Sequence, residues 1–288
     1  MLGCPAVIDV AELRSGYVDL LKRSLLGTVN RPMMLHRPVS AVEGSYLRKM
    51  AQRRLLRRGH SLLASTVIQS PADDVEGRLF VDALAPGIMT MIGQKRLDNV
   101  ERCLIDVVEQ GVPGDVIETG VWQGGTTIFM RGVLWAYGEV GRSVYVADSF
   151  AGLPAPDAER YPADKDWFLH EVPALAVSLE EVRANFARYG FSDEQTVFVK
   201  GWFRDTLPEL AGHTWSVVRL DGDYYESTMD GLVNLYPGLA PGGWLIIDDY
   251  GLESCRLAVN DYREQNNITE AIQEIDWTGV CWKKTPGV

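Results

Sequence analysis

Two groups of residues in this 288-residue chain have types and spacing that could do chemistry. The first is acidic: Leu220-Asp221-Gly222-Asp223 and Ile246-Ile247-Asp248-Asp249-Tyr250 each end an apolar run in carboxylates. If those runs are neighbouring strands, Asp221, Asp248 and Asp249 converge on one point. Like charges that close either raise one another's pKa or gather a cation. All-oxygen ligands favour Mg²⁺, with Mn²⁺ or Ca²⁺ as alternatives, over zinc. Asp-Gly alone is an ordinary turn and Asp-Asp an ordinary strand exit. The two motifs together point to a bound divalent ion.

The second group is glycine-rich, Glu118-Thr119-Gly120-Val121-Trp122-Gln123-Gly124-Gly125-Thr126-Thr127, set between a β-rich run and a helical stretch at 128–137. Glycine lets backbone approach a ligand there, and the helix N-terminus adds free N–H groups and the positive end of its dipole. The spacing is G-x-x-x-G-G and not the dinucleotide fingerprint G-x-G-x-x-G. Glu118 and, thirty positions on, Asp148 are placed to accept hydrogen bonds from a ribose diol or an amino group. S-adenosylmethionine presents both.

The elements that must position these groups form an alternating pattern. From Gly114 onward, β-rich runs at 115–119, 143–148, 196–200, 216–221 and 244–248 alternate with helical stretches, which predicts an α/β fold with a mostly parallel sheet and helices on both faces. Ligands in such sheets bind at the carboxyl ends of the strands, where both acidic and glycine motifs fall. Helices are expected over 9–26, 94–110 and 253–265, and a β-hairpin of 270–275 with 279–283 at the sheet edge. The stretch 30–90 holds Pro32, Pro38, Pro71 and Pro86 and is expected to be partly irregular. The segment 151–175, with Pro154, Pro156, Pro162 and Pro173, is expected to be a loop long enough to have a function, such as a lid in which His170 and Tyr161 touch substrate.

Charge narrows the function. A net charge of −11 disfavours a nucleic-acid partner. The first 60 residues nevertheless hold eleven Lys or Arg against four acids, with Arg53, Arg54, Arg57 and Arg58 at helical spacing. A solvated helix face is the plain reading of this basic arm, and contact with another subunit in a homo-oligomer is the other. No apolar run reaches membrane-spanning length and the start lacks a basic leader, so a cytoplasmic protein with no membrane association is expected. The scattered Cys4, Cys103, Cys255 and Cys281 suit free thiols.

Taken together, Val116–Thr127, Met91-Ile92-Gly93, Val146-Ala147-Asp148-Ser149-Phe150, Gly201-Trp202-Phe203, Leu220–Thr228 and Gly242–Tyr250 resemble the macrocin O-methyltransferase family. The resemblance spans roughly 88–284. It implies a Rossmann-like class I methyltransferase fold with a seven-stranded sheet, a helical arm and lid over 1–90, and a methyltransferase domain over 91–288. It also implies a sugar O-methyltransferase, dependent on magnesium and S-adenosylmethionine, that acts on a glycosylated natural product. Carried over by motif, the cofactor site falls on Met91, Glu118, Thr119, Gly120, Trp122, Gly124, Thr126, Asp148 and Ser149, with the adenine pocket at Gly201, Trp202 and Phe203. The metal ligands fall on Asp221, Asp248 and Asp249, and Asp221 is also the proposed general base. The more distant catechol O-methyltransferases place a lysine base where this chain has Tyr224.

Three alternatives follow. A nicotinamide-dependent enzyme is suggested by Tyr161 and Lys165 in a Y-x-x-x-K pattern, but Pro162 sits inside it and the glycine fingerprint is missing. A phenolic, catechol or polysaccharide acceptor would use the same cofactor and metal site. A non-catalytic binding or assembly protein on the same fold has no evident need for three converging carboxylates.

Overall fold

The computed structural model describes residues 9–29 and 87–285, together with the backbone of 33–38 and 63–68. The basic helix expected around Arg53–Arg58, Cys4, and the remainder of 30–86 lie outside the described residues.

Alternation within the strands explains the layers. Val116, Val217 and Ile246 point into one buried cluster, while their neighbours Ile117, Val218 and Ile247 point into the other. Both faces are therefore covered. The strands Asp115–Thr119 (β3), Val144–Asp148 (β4), Thr196–Lys200 (β5), Trp215–Leu220 (β6) and Leu239–Ile247 (β7) are parallel, and Gln273–Glu274 (β8) and Val280–Lys283 (β9) complete a seven-stranded sheet in the order β5-β4-β3-β6-β7-β9-β8. β9 runs antiparallel to both neighbours, forming the expected edge hairpin. β7 begins five residues before the sequence reading put it. Pro241, Gly242 and Gly243 read as a break, but the strand carries them through with a register shift against β6 between Trp215 and Val217.

Helices Val10–Leu25 (α1), Gln94–Glu109 (α2), Gly125–Ala136 (α3) and Leu179–Arg188 (α4) supply the first cluster. The single turn Phe203–Thr206 (α5) precedes Tyr225–Leu235 (α6) and Glu253–Gln265 (α7), which supply the second. α1, which the sequence reading assigned to the arm, is integral to the core. Val18, Leu21, Leu25 and Leu26 are buried, and the Lys22 ammonium lies between Asp98 and Glu101 of α2. Within 30–90, Met33–Pro38 (β1) and Leu63–Ile68 (β2) pair antiparallel, so this stretch is partly strand. The run Thr66-Val67-Ile68 carries the β-favouring signal that the prolines mask.

The segment 151–175 is likewise more ordered than a loop. It contains three 3₁₀ turns, at Pro162–Asp164, Leu169–Glu171 and Pro173–Leu175, and is pinned from beneath. Asp164, 1% exposed, accepts the backbone N–H groups of Tyr225 (2.7 Å) and Glu226 (3.1 Å), capping α6 across the fold. The Trp122 indole N–H donates to the Ala174 carbonyl at 2.9 Å. Cys103, Cys255 and Cys281 are free and buried.

Candidate active site

A cavity of about 400 Å³ opens at the carboxyl ends of the parallel strands. Thirteen of the fifteen residues named from sequence line it: Met91, Glu118, Gly120, Trp122, Thr126, Asp148, Ser149, Gly201, Trp202, Phe203, Asp221, Asp248 and Asp249. The other two stand behind the wall. Thr119 is 1% exposed inside β3, and Gly124 caps α3 in the left-handed region (φ +84°) against Val182 and Phe186.

The glycine turn has a packing cause as well as any ligand-binding one. Gly120 has φ +82°, and a Cβ there would overlap the backbone carbonyl of Asp221. The ends of β3 and β6 therefore approach each other only because this residue has no side chain. Three non-glycine residues, Trp122, Phe150 and Asp223, also have positive φ in the loops that leave β3, β4 and β6. Such strain concentrates at functional sites.

Because β6 and β7 are neighbours, with Leu220 beside Ile247, the carboxylates that follow them meet. Asp221, Asp248 and Asp249 each offer an oxygen, and these oxygens lie within 4.8 Å of one another. The cluster is not uncompensated, as its spacing alone suggests. Arg219, 1% exposed, donates to Glu118, to Asp221 (2.8 Å) and to Asp248. Arg96, from the first turn of α2, donates to Asp248 (2.5 Å) and to Asp276 (2.7 Å). Eight carboxylates line the cavity, against the guanidinium groups of Arg96 and Arg204 in its wall and Arg219 behind it, so acidic groups outnumber basic ones. Burial pushes Asp221 up to about 6, reinforced by Asp248 and opposed by Arg219. Burial and then Asp221 push Asp223 up to about 7, and burial with Asp223 raises Asp249 well above the carboxylate range. Carboxylate oxygens that converge while their charge is disfavoured are the donor set a hard divalent cation fits.

On the glycine side, Glu118 is held from beneath by Arg219 and the Thr127 hydroxyl, and burial pushes it up to about 7. Asp148 accepts the backbone N–H groups of Val121 (2.8 Å) and Phe150 (2.7 Å), which ties the end of β4 to the glycine turn. Burial raises its pKa against those bonds. Neither His170 nor Tyr161 lines the cavity; Gly152, Leu153, Pro154, Trp167, Leu169 and Leu175 are the residues of that segment that do. Tyr161 lies 5.9 Å from the Tyr225 ring, and the residues between it and Lys165 form the 3₁₀ turn, which ends the Y-x-x-x-K reading. Tyr224, which stands where a lysine base would, is buried and accepts the His170 N–H at 3.3 Å. It anchors the covering segment.

Sequence reasoning missed Arg96, Arg219, Asp223, Trp167 and Trp277, all but Arg219 of which line the cavity. Arg219 had a signal: a lone charge inside Trp215-Ser216-Val217-Val218-Arg219-Leu220 must find partners to be buried. Asp223 stood in the Asp221-Gly222-Asp223 motif but was not assigned a role, and Arg96, Trp167 and Trp277 had no signal.

The sheet order and the ligand-ready strand ends define a Rossmann-like methyltransferase fold. The family model Macrocin-O-methyltransferase (TylF) matches residues 14–284. The chain belongs to that family and is an O-methyltransferase. It is 55% identical over 197 residues, 68% of this chain and 76% of the relative, to 8-demethyl-8-(2,3-dimethoxy-alpha-L-rhamnosyl)-tetracenomycin-C 4'-O-methyltransferase of Streptomyces olivaceus. It is 48% identical to mycinamicin III 3''-O-methyltransferase of Micromonospora griseorubida, over 68% of this chain and 78% of that one. Among solved structures, the O-methyltransferase NovP superposes with a TM-score of 0.77 at 41% identity, covering 95% of this chain and all of NovP. The calicheamicin methyltransferase CalS11 shares the fold, with a TM-score of 0.55 at 18% identity over 84% of this chain and 94% of its own. No helix among the described residues is long and apolar enough to cross a membrane.

Proposed function

We propose that this chain methylates a sugar hydroxyl on a glycosylated natural product, using S-adenosylmethionine and Mg²⁺. The observation that carries this reading is the carboxylate cluster of Asp221, Asp248 and Asp249, set in one cavity with the glycine turn. When bound, S-adenosylmethionine supplies a methyl group on a positive sulfur, and the divalent ion supplies the charge that makes a neutral hydroxyl easier to deprotonate.

The chain's own residues divide the remaining work. Asp221, Asp248 and Asp249 would hold the ion, and Arg219 and Arg96 fix the Asp248 carboxylate in place. Glu118, Gly120, Trp122, Thr126 and Met91 enclose the methionine part of the cofactor. Asp148 and Ser149 receive the ribose, and Gly201, Trp202 and Phe203 the adenine. Asp221 takes the hydroxyl proton, since Tyr224 is committed to the covering segment. The pinned segment 151–175 excludes water and holds the acceptor oxygen in line with the transferred methyl. Apart from α1, which belongs to the core, residues 1–90 serve as arm and lid to the methyltransferase domain in a cytoplasmic homo-oligomer, which suits the basic charge at one end of an acidic chain.

The test incubates the purified chain with S-adenosylmethionine and Mg²⁺ and three acceptors. These are 8-demethyl-8-(2,3-dimethoxy-α-L-rhamnosyl)-tetracenomycin C, mycinamicin III and demethyldecarbamoylnovobiocin, the compounds for which three relatives are named. Mass spectrometry should show a methyl gained on the sugar of at least one, and a chelator should suppress it. Turnover of catechol alone would overturn the sugar reading.

A further inference from the structure

The cavity follows the carboxyl edge of the sheet from β5 to β9. With the cofactor over β3, β4 and β5, the acceptor has to lie over β6, β7 and the turn between β8 and β9. That turn is built as a fixed shelf. Asp276 accepts the N–H groups of Thr278 (3.0 Å) and Gly279 (2.7 Å) through one carboxylate oxygen and Arg96 (2.7 Å) through the other. The Thr278 hydroxyl donates to the backbone carbonyl of Asp248 at 2.8 Å, and the Gly251 N–H donates to the Thr278 carbonyl at 3.1 Å. Arg96 therefore bridges the turn and Asp248, so shelf and carboxylate cluster are one rigid unit.

Trp277 stands at the tip of this shelf. It is 73% exposed, the most exposed tryptophan among the described residues, and it lines the cavity. The Arg96 guanidinium lies 5.8 Å from its ring centroid. An indole that serves only the fold is normally packed, whereas this one is mounted on buried ion pairs and left open toward the acceptor half of the site. Nothing in the core depends on it.

We propose that Trp277 is the platform on which the acceptor sugar stacks, its indole receiving the C–H face of the pyranose while the hydroxyl to be methylated reaches the carboxylate cluster. One face of a deoxyhexose carries mainly C–H groups, which suits the negative face of an aromatic ring and removes apolar area from water. Arg96 and Asp276 are positioning residues: Asp276 and Arg96 orient the shelf that carries Trp277, and Arg96 also holds Asp248. The inference rests on the sugar-acceptor reading and adds to it the residue that recognises the ring.

The experiment compares wild type, Trp277→Phe and Trp277→Ala as full chains, using whichever of the three glycosides the wild type methylates. Trp277→Ala should raise the acceptor KM by about tenfold or more. It should lower kcat by less, and leave the dissociation constant of S-adenosylhomocysteine and the melting temperature at wild-type values. Trp277→Phe should recover most of the acceptor affinity. An unchanged acceptor KM in Trp277→Ala, with the wild type active, overturns the platform and leaves the sugar reading standing. Weakened S-adenosylhomocysteine binding also overturns it, by moving the indole to the cofactor half. A wild type that methylates no glycoside sinks the sugar reading first and the platform with it.

Discussion

Replacing Gly120 by alanine tests whether the glycine turn exists for a ligand or for the contact between strand ends. At φ +82° a side chain costs about 1–2 kcal/mol in backbone strain. The new Cβ would also intrude by more than an ångström within the 3.0 Å that such atoms keep from their neighbours, and the atom it meets is the Asp221 carbonyl, not a flexible side chain. Neither partner can move freely. The Gly120 N–H is bonded to Ala147 in β4 at 2.9 Å, and the Asp221 N–H to Thr119 in β3 at 2.9 Å. Overpacking of this kind costs a further ~1–3 kcal/mol. Gly190→Ala is the control, because it has φ +80° with nothing within 4 Å of the new Cβ, so it reports strain alone. In urea denaturation Gly120→Ala should therefore lose about 2–5 kcal/mol, against about 1–2 for Gly190→Ala. A displacement of Asp221 on the order of 1 Å should also cut methyl transfer by about a hundredfold, while Gly190→Ala stays active. Equal stability losses in the two variants, with Gly120→Ala still active, would refute the argument.

Other consequences are simpler to read. Arg219→Met leaves Glu118 and Asp221 without their buried cation and Asp248 with Arg96 alone, and should cost about 3–5 kcal/mol in urea denaturation without divalent ions. A loss in the range of an exposed pair, ~1 kcal/mol or less, would contradict the role assigned to it. Mg²⁺ at roughly a hundred times its dissociation constant should stabilise the protein by about 2.7 kcal/mol, seen as a rise in melting temperature that Asp249→Asn removes. A wild-type melting curve indifferent to Mg²⁺ and chelator would argue against the ion site. Asp164→Ala takes away the acceptor that caps α6 and should cost ~0.5–2 kcal/mol. It should also speed proteolysis within 151–175, and an unchanged cleavage rate would show that the segment is held by other contacts.

What sequence could say about this fold follows from the range of the interactions involved. Strand alternation is local, so Val116 and Ile117 announce a sheet covered on both faces, and the carboxylates after β6 and β7 announce a site at its edge. The partners of those carboxylates are not local. Glu118 and Arg219 are 101 positions apart, Arg96 and Asp248 are 152 apart, and Asp164 caps a helix 61 residues away. No spacing rule reaches across such separations, and for the same reason prolines could mark 151–175 as irregular without revealing that it is pinned. The non-local pairs also alter the argument for a metal. Taken from spacing alone, three converging carboxylates require an ion merely to coexist. With Arg219 holding Glu118, Asp221 and Asp248 from behind, the strand ends are already drawn together before any ion binds. What an ion would still add is a cation beside Asp223 and Asp249, whose charged forms burial disfavours. The arginine therefore serves folding, and it leaves the open face of the cluster in place for binding and catalysis.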